Sequence, residues 1–397
     1  MRIQFLLPLL FILLLACSSA DGYRVTVRTG EAELRHTPLS ATFTAGTFAP
    51  GATLCVKHNG VVEPAQLEIT PEGEQLVWWL QSQPASSAAD VYIRDTRCPA
   101  ADAFAWEMVD HQSEQLHRNG LPVMQYEFPV HSMDDIEGAR KPYHHVFDPA
   151  GGEKITKGVG GLFSHHRGIY FGYNVITVEG YDRNIDVWHS NNGERTEHEE
   201  VLERFEGPVM GGHRVRILWK DHQGHAFADE VRTLRAFRQP RGETLIDFHS
   251  ELQTLGGSVR LDGDRQHAGV QFRAAQYVAE HPEYSYYIRP EAWNHLAPAD
   301  EVGNDNNHDF GWNAFHFQVE GRPFTTLYLS HPTNPKPAEM SERQYGRFGE
   351  FFRYELTPDT PLTSQYRFWI TAGAAPERED FKAQHAAYSH SVDVVVR

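Results

Sequence analysis

The chain is short of basic side chains relative to acidic ones. Lys and Arg together number 36, against 53 Asp and Glu in 397 residues, which gives a formal net charge of −17. Proteins that bind nucleic acid need clustered Lys and Arg to neutralise phosphates, so this balance argues against a nucleic-acid partner. Hydrophobic residues make up 40% of the chain, enough for a globular core.

Long apolar runs are missing everywhere except at the N-terminus. There Arg2 precedes the run LLPLLFILLLA, which is about half the length that a bilayer-spanning helix needs. We interpret residues 1–20 as an export signal. The run ends in LLAC, which resembles a bacterial lipobox in which Cys17 is lipidated, and the following Ser18 favours the outer membrane. The alternative is plain cleavage near Ala20 and a free periplasmic protein.

Cysteine is equally scarce. Besides Cys17 the chain contains only Cys55 and Cys98. An even pair in an oxidising compartment suggests a disulfide inside the N-terminal region. No second cysteine lies at short spacing from either of them, so the sequence does not predict a cysteine-based metal site.

Helical periodicity is also rare, and strand-like alternation dominates. Many short alternating segments separated by Gly and Pro turns predict an all-β protein, either a sandwich or a barrel. One helix is predicted near residues 376–388, where acidic residues crowd the first turn. We expect a small β module at residues 21–118, containing both cysteines, and a large β domain at residues 119–397.

The segment GGLFSHHRGIYFG, residues 160–172, is the first candidate site. If residues 165–172 form a strand, His165 and Arg167 share one face and His166 lies on the other. The preceding glycines allow a tight turn. Imidazoles beside a guanidinium at a strand end favour a functional site over polar residues at the rim of a sheet.

Two further segments carry candidate residues. In DGDRQHAGVQFRAA, residues 262–275, strand alternation places His267 and Arg273 on one face. In YLSHPTNP, residues 328–335, a proline ends the strand and leaves His331 and Asn334 at the edge of the sheet. Each set also fits ordinary strand-end or turn chemistry. The segment DVWHSNNGE, residues 186–194, offers Asp186, Trp188 and His189; Trp188 could stack on a sugar ring, and burial in the core is the alternative.

Standard catalytic signatures are lacking. HExxH, GxxxxGK, GxGxxG after a strand and GxSxG do not occur. The 23 histidines leave room for a divalent metal, because neutral imidazole is a common metal ligand. The candidate metal ligands are His165, His166, His267 and His331, and no cofactor is certain.

Several segments, in this order, resemble a known family. KPYHHVFDPAGGEKITKG, FSHHRGIYFGYN, NIDVWHSNNG, DRQHAGVQFRA and SHPTNP are similar to the bacterial "PmoA family", a domain of unknown function labelled methane oxygenase PmoA-like. The resemblance covers residues 120–375. It implies a galactose mutarotase-like supersandwich and a role in carbohydrate breakdown. It does not imply methane oxidation, because true subunits of that enzyme span the membrane with several helices.

These observations favour a carbohydrate-active enzyme: an epimerase, lyase or hydrolase acting on a native or oxidised glycoside. We expect His166, Arg167, His267 and His331 to be catalytic, with imidazole transferring protons and arginine stabilising negative charge on oxygen. We expect His165, Arg273, Asn334 and Trp188 to bind substrate. One alternative is a non-catalytic glycan-binding lipoprotein anchored on Trp188, Trp293 and Trp312, attached to the membrane only through its lipid. Another is a structural envelope protein.

Overall fold

The structure is a computed structural model that describes residues 22–70, 72–94, 98–293, 295, 308–390 and 392–397. The predicted signal segment, with the proposed lipidation site Cys17, lies outside the described residues. Antiparallel strands dominate the rest, in agreement with the predicted all-β class. Within the described ranges, no helix combines the length and apolarity needed to cross a membrane.

The first sheet is built mainly from the N-terminal part of the chain. A disulfide joins Cys55 and Cys98, the pair suggested by the cysteine count, with Cα atoms 5.5 Å apart. The strands pack on a core of their own that includes Val25, Leu76 and Trp78. In spatial order they are β2 (Leu34–Phe43), β5 (Gly73–Gln83), β4 (Val61–Thr70), β3 (Cys55–His58), β6 (Ala88–Arg94), β1 (Arg24–Arg28) and β26 (Asp393–Val396).

Two eight-stranded sheets form the rest of the protein. The second sheet is ordered β22 (Glu339–Arg343), β23 (Arg347–Phe351), β18 (Ala268–Arg273), β11 (Ile169–Tyr173), β10 (Tyr143–Val146), β9 (Leu121–Glu127), β8 (Ser113–Arg118) and β7 (Phe104–Asp110). The third is ordered β13 (Arg195–Phe205), β14 (Met210–Lys220), β15 (Ala226–Phe237), β16 (Glu243–Thr254), β25 (Leu362–Ala372), β21 (Arg322–Ser330), β20 (Trp312–Val319) and β19 (Tyr286–Ile288). A small sheet joins β12 (Val175–Val178), β17 (Val259–Asp262) and β24 (Tyr354–Leu356).

The second and third sheets pack face to face as a sandwich. One apolar cluster draws its buried side chains from both of them. Phe171 of β11 contacts Trp219 of β14, with ring centroids 5.4 Å apart, and Phe272 of β18 contacts Phe368 of β25 at 6.1 Å. Burial of these large apolar surfaces stabilises the sandwich. The side of β18 that faces away from this core carries the polar side chains of Gln271 and Arg273.

The chain passes from the first sheet to the second between β6 and β7, which is before the predicted boundary between residues 118 and 119. Strands β7 and β8 extend the second sheet, because they continue its antiparallel ladder next to β9. At the other end, β26 pairs with β1 and returns the C-terminus to the first sheet. The first sheet also docks on the third: the Gln66 side chain accepts hydrogen bonds from the backbone N–H groups of Val209 and Met210.

The predicted C-terminal helix is present as α2 (Arg378–Ser389). Glu377 and Asp380 form a reciprocal capping box at its start, which satisfies N–H groups that have no partner within the helix. Phe381 packs on Trp312 and Trp369. The sequence did not predict three shorter helical segments: α1 (Gln276–Glu280) and the 3-10 turns Pro282–Tyr284 and Glu291–Trp293.

Candidate functional site

The GGLFSHHRG segment is a compact turn at the start of β11. The predicted strand over residues 165–172 is wrong for its first four residues, since β11 begins at Ile169. Phe163 and Gly168 have φ values of 52° and 39°, in the left-handed region that an extended strand does not use. A side chain at Gly168 would also meet the backbone oxygen of His144. The turn therefore replaces the expected alternation and presents His165 and His166 side by side.

Three histidines from separate loops meet at this turn. Ligand nitrogens of His165, His189 and His267 all lie within 4.8 Å of one another. The ring centroids are 4.6 Å apart for His165 and His189, 4.7 Å for His189 and His267, and 5.4 Å for His165 and His267. We call these three residues the ligand cluster. His165 precedes β11, His189 follows β12 and His267 precedes β18, so three parts of the chain converge.

Two members of the ligand cluster are oriented by a carboxylate. The Nδ1 atom of His189 lies 2.7 Å from Asp186, and that of His267 lies 2.9 Å from Asp264. Each carboxylate occupies Nδ1 and leaves Nε2 as the free ring nitrogen. Histidines that bind metals commonly have such a carboxylate partner, which fixes the tautomer and the ring orientation.

The supporting carboxylates are themselves held in place. Asp264 accepts hydrogen bonds from the backbone N–H of Gln266 and from the amide of Asn174. Burial acts to raise the pKa of Asp264. The hydrogen bond and charge of His267, together with the donors Gln266 and Asn174, have the larger combined effect and hold the pKa of Asp264 below its usual range. Asp186 accepts bonds from the backbone N–H groups of Trp188 and His189.

The third ligand, His165, has no carboxylate, and its Nε2 atom is buried without a hydrogen-bond partner among the described residues. Burial, together with the charge of Lys141, lowers the pKa of His165 to about 2. It is therefore neutral at ordinary pH and keeps a lone pair for a ligand. To form zinc–nitrogen bonds of about 2.1 Å, each of the three rings would have to move about 1 Å toward a common centre.

His166 lies directly behind the ligand cluster. Its ring is 4.3 Å from that of His165 and stacks on His267 at 5.4 Å. It is 2% exposed, and neither ring nitrogen has a partner among the described residues. Burial and the charge of Arg347 lower its pKa well below the ordinary value. A buried neutral imidazole without partners is costly, so it indicates a group kept ready for a ligand.

Several predicted residues surround this site in roles other than those expected. Trp188 is 1% exposed and lies 5.7 Å from the ring of His166, so it is a buried wall and not a stacking platform. Arg167 donates to the backbone carbonyls of Ser164 and Glu137. Arg273 is buried and donates to the carbonyls of Ala274 and Tyr345. Neither guanidinium is exposed at the site surface.

The structure places His331 and Asn334 on a different sheet from the one that adjoins the ligand cluster. Both follow β21 of the third sheet, whereas the ligand cluster adjoins the second. His331 bonds to Thr333 and its ring contacts Tyr388 of α2. Asn334 closes its turn by bonding Ser330 and Gln365, which is structural. Both residues follow the end of a strand, as Pro332 predicted, but that strand is β21 of the third sheet and not a strand of the second.

The sequence analysis gave too little weight to His189 and Asp186, which it offered as candidates, and did not name Asp264. A local signal existed in the repeated spacing Asp-x-x-His, which occurs as DVWH at residues 186–189 and DRQH at residues 264–267. In each, the aspartate lies one turn before the histidine and bonds to its Nδ1 atom.

A cleft opens beside the ligand cluster. It has a volume of about 390 Å³ and shares His267 and Asp264 with the histidine site. Polar and charged side chains form most of its wall, which suits a hydrophilic ligand. The lining includes Asp264, Arg265, His267, Glu339, Arg343 and Arg353.

Comparison with known proteins gives a family and a distant structural likeness. No curated protein matches the sequence. Among solved structures, the GalM/aldose epimerase homologue from C. elegans matches with 9% sequence identity and a TM-score of 0.29, over 70% of this chain and 100% of that one. The model of DUF6807, a family of unknown function, matches residues 114–386, which include all three members of the ligand cluster. The chain therefore belongs to the DUF6807 family.

Proposed function

We propose that the protein is a metal-dependent enzyme that acts on a carbohydrate and binds a divalent ion, such as Zn²⁺, through His165, His189 and His267. One observation carries this proposal: one ring nitrogen from each of three histidines lies within 4.8 Å of the other two, and two of the rings are oriented by Asp186 and Asp264. Catalytic zinc sites commonly have three protein ligands and leave a fourth position for water or substrate.

The chain's own residues divide the remaining work. A metal at the cluster would supply a Lewis acid that polarises a substrate oxygen. The two aspartates hold the ligand rings and offset part of the added positive charge. The ring centroid of His166 lies 5.4 Å from that of His267, and neither of its ring nitrogens has a hydrogen-bond partner among the described residues. His166 is therefore placed to accept or deliver a proton. Trp188, which is 1% exposed, forms the buried wall beside His166.

The carbohydrate part of the proposal is supported by the resemblance to the PmoA-labelled family and by the polar cleft beside His267. Epimerisation, lyase chemistry and hydrolysis all require a polarised oxygen and a proton-transfer group, so each fits this arrangement. We retain export and lipidation at Cys17 as part of the proposal, which places the enzyme in the periplasm or at the outer membrane.

The alternative of a non-catalytic glycan-binding protein has less support. Its expected anchors are aromatic rings open to solvent. Trp188 and Trp312 are 1% and 4% exposed, and Trp293 stacks on Phe310 with centroids 4.4 Å apart. Sugar-binding platforms need an accessible ring face, which Trp188 and Trp312 do not offer, and in Trp293 one face is covered by Phe310.

Elemental analysis of the purified full-length protein tests the proposal. We expect stoichiometric divalent transition metal in the wild type and in His331→Ala, and strong depletion in His189→Ala. The His331 variant is the matched control because it removes an imidazole outside the cluster. A screen on native and oxidised glycosides should then detect activity that chelation removes and Zn²⁺ restores. Equal metal content in the two variants, or none in the wild type after incubation with Zn²⁺, would overturn the proposal.

A further inference from the structure

The buried cationic side chains of the described residues fall into two groups. Eight Lys and Arg side chains are at most 6% exposed. Three of them are paired with a carboxylate, and five are not. The paired ones are Arg232, Arg289 and Arg367; the unpaired ones are Lys141, Lys157, Arg167, Arg273 and Arg347.

The three paired arginines bind their partners in one way. In each, the guanidinium edge formed by Nε and Nη2 donates to a carboxylate. This side-on fork matches the two oxygens of a carboxylate and is a strong, charge-assisted arrangement. The pairs are Arg232 with Glu230, Arg289 with Glu342 and Arg367 with Asp247.

Two of the five unpaired cations, Lys141 and Arg347, lie close to the ligand cluster and His166. Lys141 Nζ lies 4.9 Å from the ring centroid of Trp188, the tryptophan that contacts His166. Arg347 Nε donates to the hydroxyl of Tyr345, whose ring stacks 6.0 Å from that of His166. All five donate only to neutral groups in the described residues, mostly backbone carbonyls.

Arg273 has a free binding edge. Its Nη1 atom donates to the carbonyls of Ala274 and Tyr345, whereas Nε and Nη2 are buried without a partner among the described residues. These two atoms form the same edge that binds carboxylates at the three paired arginines. Burial lowers the pKa of Arg273 to about 10, which reflects the missing counter-charge.

We infer that the substrate carries a carboxylate, as an acidic sugar does, and that the Nε–Nη2 edge of Arg273 receives it. The sugar part of this inference rests on the proposed function. Burying several cations without anions is strongly unfavourable, and a divalent ion at the histidines would add to the same positive field. An anionic ligand relieves both costs, whereas a neutral sugar relieves neither.

Access to Arg273 depends on Tyr345. Its half-buried ring covers the guanidinium, whose central carbon lies 4.9 Å from the ring centroid. The adjoining cleft is lined by Arg343, two residues before Tyr345, and by Arg265, whose carbonyl accepts from Arg347. Arg273 itself does not line the cleft, so the inference requires the Tyr345 side chain to move when the carboxylate binds.

Calorimetric titration of the full-length protein tests the inference with three probes. We expect glucuronate to bind at least about tenfold more tightly than glucose, because only glucuronate has a carboxylate to pair with the guanidinium edge. Glucose 6-phosphate tests the other common anion. Equal binding of glucuronate and glucose, no binding of glucuronate, or preference for glucose 6-phosphate would each overturn the assignment.

Metal and anion can be separated in the same experiment. The titrations are repeated on chelator-treated protein and on His189→Ala. If glucuronate still binds these samples, the carboxylate site stands even where the metal proposal fails. If the protein holds metal but shows no preference for glucuronate, the metal proposal stands and this inference fails.

Substitution locates the site. Arg273→Lys keeps the charge but removes the fork, so we expect glucuronate affinity to fall about tenfold or more while glucose affinity stays unchanged. Arg214→Lys, at an exposed arginine of β14, is the matched control and should bind like the wild type. Equal loss in both variants, or none in Arg273→Lys, argues against this location. If Arg273→Lys does not fold, the wild-type comparison of glucuronate with glucose still decides the inference.

Discussion

Two groups of histidines in this protein are similar in composition and opposite in arrangement. The ligand cluster of His165, His189 and His267 lies beside an open cleft. The second group, which we call the relay, consists of Glu114, His213 and His144 and lies between the second and third sheets. In the relay, His213 bonds to Glu114 at 2.9 Å through Nδ1 and to His144 at 2.8 Å through Nε2.

The position of the carboxylate separates the two groups. In the relay, three of the four ring nitrogens bond within the group, so its members bind one another and join two sheets. In the ligand cluster, Asp186 and Asp264 bond Nδ1 of His189 and His267, and no hydrogen bond among the described residues joins the three histidines to one another. Histidine content alone therefore does not distinguish a structural network from a binding site; the location of the unbonded nitrogens does.

The largest expected effect belongs to the relay. Glu114→Ala removes a fully buried carboxylate and leaves the ring of His213 without its partner, so the free energy of unfolding should fall by about 3 kcal/mol. Arg204, which also binds Glu114, is 42% exposed and can be solvated after the change. The loss of its contact therefore adds nothing to the expected fall in unfolding free energy. Chemical denaturation measures the loss.

Glu203→Ala is the matched control, because Glu203 is 40% exposed and its contact to Arg214 is 3.9 Å long. We expect a change below about 0.5 kcal/mol there. Metal content should be normal in both variants. A stable Glu114→Ala protein that has lost its metal would contradict the division between relay and ligand cluster.

The second effect concerns metal affinity. Asp264→Asn should weaken Zn²⁺ binding about 10- to 100-fold, because the amide no longer fixes the tautomer of His267 or supplies a negative charge. Stability should change little, since Asp264 lies in an exposed loop. Competition with a chromophoric chelator measures the affinity, and Asp90→Asn on the first sheet is the control. Unchanged affinity would remove the main support for the metal site.

The third effect is the pH dependence of stability. Burial is the main cause that lowers the pKa of His144 well below its ordinary value and that of His145 to about 3. The unfolded chain binds these protons below about pH 6.5 and the folded chain does not. Stability is therefore fully present above that pH and falls on acidification, by about 1.4 kcal/mol per pH unit for each histidine.

Urea denaturation at pH 7, 6 and 5 measures this slope. His145→Asn should reduce it by the contribution of one proton, about 1.4 kcal/mol per pH unit. The same slope in the variant and the wild type would show that His145 titrates normally in the folded protein.

The sequence was sufficient for the fold class and for half of the site. Strand alternation and turn residues predicted the β sandwich and the C-terminal helix, because both depend on local patterns. His165, His166 and His267 were identified, but His331 was grouped with them because sequence does not show which sheet a strand joins. The face assigned to Arg167 was wrong because the left-handed residues Phe163 and Gly168 turn the chain before β11.

The smallest expected effect is at the histidine that sequence reasoning misplaced. The His331 side chain bonds only to Thr333 among the described residues and is half-exposed, so His331→Ala should cost about 0.5 kcal/mol of unfolding free energy. Denaturation and metal analysis of the same sample measure both properties. Loss of metal from this variant would mean that β21 contributes to the site and that the contrast between ligating and structural histidines is drawn in the wrong place. Retention of metal with a small stability change would show that His331, like the histidines of the relay, has a structural role and does not bind the metal.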